Sequence, residues 1–419
     1  MSQQTDTIVL GAGMVGVSIA CHLARRGRRV SLIDRRAPGR ETSFGNAGLI
    51  QREAVEPHPF PRDLANIWRV LPNKSVDIRY RAGAMFSEAS PLWQYWRYSA
   101  PESFARIVPE YASLIAHCTG EHQALFEPAG AEHLIRRDGW LQVFRTEDAW
   151  EAFLAKARDF DTRFGVKHAR IDRETLRAME PGLGEAVCGA IHWTNTWSVT
   201  DPGGLVQAYA DYFVSLGGTV HQAEATAITD DGGGGQRWRV HTDQGAHSAA
   251  ELVLATGPWS PEWLARLGYD LPMFVMRGYH MHYDAAQGTT LNYALMDSEK
   301  GYLLTPKKAG LRLTTGAELN TIDAPPRLGQ LEAAEREARD FFALGARREA
   351  TPWKGARPCL ADMKPVIGPA HAHDGLWFAF GHGHQGFTLG PATGRLIGQM
   401  MDGEAPMVDM QPFRSDRFY

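Results

Sequence analysis

At 419 residues, with 44% apolar and 22% charged side chains, the chain has the composition of an ordinary globular enzyme and the length of two or three domains. A formal net charge of −4 offers no basic footprint for nucleic acid. Four scattered cysteines, Cys21, Cys118, Cys188 and Cys359, make no C-x-x-C pair, which argues against a disulfide framework and a zinc ribbon and fits a reducing compartment.

The polar start, residues 2–6, carries neither the basic region nor the cleavage site of a signal peptide. Residues 8–10 then predict a short buried strand. Gly11, Gly13 and Gly16 follow in G-x-G-x-x-G spacing. A helical stretch comes next, with Val17, Ala20, Cys21 and Ala24 on one face, and then a second apolar run, 30–33, ending in Asp34. In that setting the glycines predict a dinucleotide site. Gly11 makes the tight turn, Gly13 lets the backbone approach a pyrophosphate, and Gly16 lets helix and strand pack closely. The helix N-terminus, at Met14 and Val15, presents N–H groups and a positive dipole end to the phosphates. Asp34 is placed to bond ribose hydroxyls, with Arg35 and Arg36 beside it.

Residues 60–130 read mostly helical, with Leu64, Ile67 and Trp68, then Phe104, Ile107, Tyr111 and Ile115 at helical spacing. Within them PLWQYWRY (91–98) is rich in interfacial aromatics, and core packing is its expected role. A strand is predicted over 139–145 and a helix over 146–164. Asp201-Pro202 opens a helix that ends at Gly217-Gly218, before a strand at 219–221. Two strands, 223–229 and 237–242, are joined by a DDGGGG turn at 230–235. Residues 251–255 predict a buried strand ending in Thr256-Gly257. Runs at 274–283, 301–305 and 311–316 predict a separate, largely antiparallel sheet. A charged helix is expected over 327–345, then short strands at 365–367 and 376–379, and a glycine-rich loop feeding a terminal helix. The nucleotide unit is therefore expected to be completed by the middle and end of the chain, with a second domain inserted and a substrate between them. No stretch reads as a transmembrane span.

The chain resembles the FAD-dependent D-amino acid dehydrogenase branch of the amine oxidoreductase family, which also holds glycine oxidase, sarcosine oxidase and D-amino acid oxidase. The resemblance rests on GAGMVG (11–16), ETSFGNAGLI (41–50), DPGGL (201–205), ELVLATGPWS (251–260), RGYHMHY (277–283), GYLLTP (301–306), WKGARPCLADMKPVIG (353–368) and GHGHQGFTLGPATG (381–394), in the family's order. It implies an α/β fold: a Rossmann-like FAD-binding domain from 1–85, 198–267 and 351–419, with an inserted α+β substrate domain, 86–197 and 268–350, built on a largely antiparallel sheet.

The implied cofactor is noncovalent FAD. Thr42, Ser43, Asn46, Ala47, Gly48 and Leu49 would wrap its pyrophosphate and reach its ring, joined by Thr256, Gly257 and Trp259. Gly383, His384, Gln385, Gly386 and Thr388 would lie near the ring's pyrimidine edge, where N–H groups or His384 could stabilise charge. Arg357 is implied to grip the substrate carboxylate, the alternative being an ion pair with Asp362. Tyr279 and Tyr302 match positions near the substrate, the alternative being core tyrosines with bonded hydroxyls. Two departures leave the substrate open: Gly45 stands where relatives often have Ala, and GHGHQGF where they often read GHGTLGW. Cys359 does not match the offset of a covalent flavin link.

Three H-x-H pairs (His280/His282, His371/His373, His382/His384) lack a third ligand by spacing, so no metal is expected, and no G-x-S-x-G elbow supports a hydrolase. The implied reaction is oxidation of a D-amino acid, D-hydroxyproline or another D-proline derivative among the candidates, to the imino or 2-oxo acid by hydride transfer to flavin N5. Electrons would pass to a quinone or other carrier. A glycine- or sarcosine-type oxidase using oxygen, and a flavin-bearing electron-transfer subunit, stand as alternatives. The implied location is cytoplasmic, with peripheral contact on the inner face of the membrane left open.

Overall fold

The computed structural model describes residues 5–232, 235–286 and 288–419, so part of the polar start and the centre of the 230–235 turn lie outside the described residues. An eight-stranded sheet is built around Thr5–Leu10, flanked in parallel by Val30–Asp34 and by Gly245–Leu254. Thr219–Gln222 and Leu376–Phe380 extend the parallel part on either side, so the middle and end of the chain complete the nucleotide unit. The side-chain period of two explains the layers. Val9, Leu32 and Val253 face the helices Met14–Arg25, Pro202–Ser215 and Gly386–Met401. Ile8, Leu10, Leu252 and Leu254 face the opposite core with Trp238 and Trp263. Asp201 caps its helix by accepting from the Gly204 N–H (2.9 Å). Gly394 permits close helix contact, since a Cβ there would come within 2.6 Å of the Ser18 carbonyl oxygen.

The second sheet has eleven strands. Its long member, Met273–Ala285, pairs antiparallel with Trp353–Leu360 on one side and with Gly310–Thr314 and Ala317–Leu319 on the other. Tyr302–Lys307, Leu295–Asp297, Trp140–Phe144, Gly189–Trp193 and His168–Asp172 continue it.

Several expectations are corrected. Ile78–Tyr80 and Trp353–Leu360, assigned by sequence to the nucleotide unit, are strands of this second sheet. Helices Pro101–Ile115 and Cys118–Phe126, assigned to the inserted domain, lie in the core of the nucleotide unit, where His122 bonds the Phe387 carbonyl (2.9 Å). The charged helix stops at Arg339. Beyond it Phe341 and Phe342 are both buried, and the chain turns into the strand Leu344–Arg347. The aromatic stretch 91–98 lies in the helix Ala89–Tyr98, which buries only Leu92 and Tyr95. Trp93 and Trp96 are 57% and 40% exposed. Among the described residues no helix is long and apolar enough to cross a membrane.

Candidate functional site

A cavity of about 1450 Å³ runs from the glycine turn to the face of the second sheet. At the nucleotide end Gly11 has φ +108°, and a Cβ there would meet the Ala255 carbonyl oxygen at 2.4 Å. A Cβ on Gly16 would reach the Gly11 oxygen at 1.8 Å, so this glycine is required for packing and does not itself border the cavity. At the helix start the Met14 N–H donates to Ser43 Oγ (2.9 Å), tying the short turn Thr42–Gly45 to the phosphate end. Asp34 accepts from the N–H groups of Ala12 (2.7 Å) and Arg36 (2.9 Å), and burial raises its carboxyl pKa. Arg35 packs over Trp259 (4.3 Å) and pairs with Glu41. Arg36 also pairs with Glu41 but points outward, away from the cavity. Val15, Ala47, Thr256 and Gly257 border it.

The other end is set by strand register. Met276 lies opposite Arg357, Gly278 opposite Gly355, and His280 opposite Trp353. Opposed residues share a face, and this face lines the cavity. Trp353 stacks on His280 (4.9 Å between centroids, 13°) and fills the space beside Gly45 and Gly355. A Cβ on either glycine would come within 1.9 Å of the indole, which explains why Gly stands at 45.

Arg357 extends over Gly278, where a Cβ would meet Nη2 at 2.7 Å. Its guanidinium donates only to the carbonyls of Gly316 (3.0 Å), Thr315 (3.4 Å) and Arg277 (3.4 Å). Asp362, the alternative partner, is held by Arg417 (2.8 Å) and Lys364 (3.7 Å). Among the described residues, then, no carboxylate pairs with Arg357, and burial lowers its pKa.

The glycine-rich loop docks beside it. Gly383 N–H donates to the Pro358 carbonyl (2.7 Å), and His384 stacks on His58 (4.5 Å, 23°). Enclosure, and secondarily neighbouring positive charge that includes Arg357, lower both imidazole pKa values and hold the pair neutral. Gln385 donates to Gln51 (2.9 Å) while its own Oε1 is buried without a partner, and Gly386 borders the cavity. Asn46 Oδ1 accepts from Gly48 N–H (2.7 Å). Gly48 (φ +69°) and Thr388, whose hydroxyl bonds Leu49 and Gln51, shape the loop from behind the cavity wall.

The two tyrosines are corrected. Tyr302 is fully buried against Phe341 and is absent from the cavity wall. Tyr279 contributes backbone to the wall, but its hydroxyl donates to Glu318 (2.5 Å) and accepts from Arg277 (2.7 Å) on the other face of the strand. Sequence reading missed His58, Gly278, Trp353 and Arg312. Arg312 donates to the carbonyls of Phe44 (3.0 Å) and Asn46 (2.6 Å) and to His282 Nε2 (3.0 Å). His282 in turn donates from Nδ1 to Glu349 (2.5 Å). The signal that could have exposed Gly278 and Trp353 is the two-residue alternation of strands 273–285 and 353–360. The H-x-H pairs are spent on such contacts: His371 with Ser415, His373 with Tyr269, His382 with Thr393. Among the described residues no group of three or more His, Cys, Asp or Glu is disposed to hold a metal.

The glycine turn, the anchored Ser/Gly/Asn loop, the unpartnered Gln385 oxygen and a cavity that runs from that turn to the second sheet fit an FAD, and together they define a flavin-dependent oxidoreductase. The chain belongs to the FAD dependent oxidoreductase family, which it matches over residues 6–400. It is 28% identical over 436 residues to a D-amino-acid oxidase of Bradyrhizobium diazoefficiens, covering 100% of both chains. It is 28% identical over 432 residues to a D-amino acid dehydrogenase of Agrobacterium fabrum, covering 99% of each. Its fold matches glycine oxidase from Geobacillus kaustophilus with a TM-score of 0.73 at 22% identity, over 98% of each chain.

Proposed function

We propose that this flavoenzyme oxidises a D-amino acid or related amino acid, with D-hydroxyproline or another D-proline derivative in the class, to the imino acid. Water converts that product to a 2-oxo acid and ammonia; a secondary amine gives a cyclic imine. One observation carries the reading: Arg357 is a guanidinium facing the cavity with carbonyl partners and no carboxylate. Such a fork matches a substrate carboxylate in two parallel hydrogen bonds. The full-length relatives named for D-amino acids support the choice of substrate class.

The residues at Gly11, Gly13, Met14, Val15, Asp34, Arg35, Thr42 and Ser43 would hold the nucleotide end of a noncovalent FAD, and Asn46, Ala47, Leu49, Gly383, Gln385 and Gly386 its ring end. Cys359 is an unsuitable attachment point, because burial pushes its thiol up to about 12 and so disfavours the thiolate. FAD supplies the two-electron acceptor for the Cα hydride. The chain's own contribution is orientation. Arg357, fixed over Gly278 by three carbonyls, sets the carboxylate and therefore Cα; such positioning lowers barriers by up to about 7–11 kcal/mol. The neutral His58–His384 pair adds no second cation beside the substrate amine.

We assign a quinone or other carrier as electron acceptor. Oxygen is the second reading, favoured by the relative named an oxidase. We assign the protein to the cytoplasm, with peripheral membrane contact through exposed Leu64, Trp68 and Phe86 beside Arg62 and Arg69; cosedimentation with anionic vesicles, lost in Trp68→Ser/Phe86→Ser, tests it.

The functional test is anaerobic bleaching of the 450-nm flavin band by D-amino acids, their L-enantiomers, D-hydroxyproline, glycine and sarcosine. Bleaching by D-amino acids is expected. A flavin that dithionite bleaches but no amino acid does would leave an electron-transfer subunit as the function. Peroxide formed in air at the rate of dye reduction would make oxygen the acceptor.

A further inference from the structure

The wall that continues from Arg357 is apolar and aromatic. Met276 lies directly opposite Arg357, and the next pair on the same face is Phe274 with Cys359. The Phe274 ring meets Tyr95 (5.2 Å), and Tyr95 meets Phe60 edge-on (5.5 Å). Tyr95 donates its hydroxyl to the His58 carbonyl (2.6 Å), so its polar group is committed and its buried ring is what it offers to the cavity wall. Farther out, Trp93 and Trp96 border the cavity while half-exposed, each beneath an arginine: Arg97 at 4.8 Å and Arg62 at 3.8 Å.

Charge is scarce along this wall. Between residues 57 and 98 the only charged side chain bordering the cavity, among the described residues, is Asp77, which pairs with Arg69 (2.8 Å). Across the cavity, Lys156 and Glu56 pair with each other (2.6 Å). A charged substrate side chain would lose its hydration here among charges that are already paired; among the described residues the one buried carboxyl left with an unpartnered oxygen on this cavity, Glu53, is raised by burial to about 7, which disfavours its charged form. A hydrogen or methyl group would leave the aromatic surface wet.

We infer that the side chain of the substrate is large, uncharged and apolar, an aromatic or branched aliphatic group received between Met276, Phe274 and the aromatic face of Phe60 and Tyr95. This rests on the reading of Arg357 as the carboxylate anchor, and it separates the protein from enzymes built for glycine or for acidic and basic amino acids.

The test uses the flavin-loaded enzyme under anaerobic conditions with D-phenylalanine, D-leucine, D-alanine, glycine, D-aspartate and D-lysine. The expected result is a kcat/KM for D-phenylalanine and D-leucine about 30-fold or more above D-alanine, with the charged members below D-alanine. Reduction by D-alanine, glycine or a charged member as efficient as by D-phenylalanine overturns the inference and leaves the amino-acid reading standing. Reduction by none of the six overturns both. Phe60→Ala, a change at a half-buried position, should narrow the D-phenylalanine to D-alanine ratio at least fivefold; an unchanged ratio overturns the assigned pocket.

Discussion

Arg357 owes its position to an absent side chain and to backbone carbonyls. Gly278 leaves room for the guanidinium, and the turn at Thr315 and Gly316 supplies carbonyls that hold it without neutralising it. Gly278→Ala should displace the fork and raise the substrate KM at least tenfold while flavin content stays constant, checked by steady-state kinetics beside the absorbance ratio of the purified protein. Gly16→Ala should act at the other end of the cavity. Its Cβ would collide with the Gly11 backbone, so the protein should purify with little flavin at 450 nm; full flavin occupancy would refute the packing role. The nucleotide glycines were legible because their chemistry is local: a turn, a close approach, a helix start. Arg357 was legible only through family resemblance. Gly278 and Trp353 were not, because their meaning depends on which strand lies opposite.

The terminal helix Gly386–Met401 ties the loop that carries His384 to the nucleotide unit. His122 is a fixed point of that connection, bonding the Phe387 carbonyl (2.9 Å) and the Tyr209 hydroxyl (3.0 Å). Burial lowers its pKa to about 4, below the ordinary 6.5. The unfolded chain therefore takes up a proton below pH 6.5 that the folded chain refuses until about pH 4. Stability from this group is intact at neutral pH and is lost as pH falls through that window, by about 3 kcal/mol. Chemical denaturation of wild type and His122→Gln should show the wild-type advantage shrinking by that amount between pH 7.5 and pH 4; a constant difference would contradict the assignment. Helix starts and stops with local signals, such as Asp201 and Gly217, were readable. The end of the helix at Arg339 was not: the buried Phe341 and Phe342 follow it, and burial is a tertiary property.

At the scale of the molecule, both ends of the chain and its middle meet around one cavity. The alternation of parallel-sheet runs with an antiparallel block was visible as hydrophobic pattern. Strand Trp353–Leu360 was misassigned because it follows the inserted block in sequence yet pairs back into that block's sheet. That pairing brings Arg357, the proposed carboxylate anchor, beside the Gly383 loop, so the proposed function puts the substrate at the joint between the units. The most direct measurement is rapid anaerobic flavin reduction against D-amino acid concentration, in wild type and in Arg357→Met with equal flavin content. Half-saturation in the variant should require at least about 100-fold more substrate, the loss of roughly 3 kcal/mol from a charge-assisted pair. An unchanged half-saturation concentration would show that the carboxylate is held elsewhere.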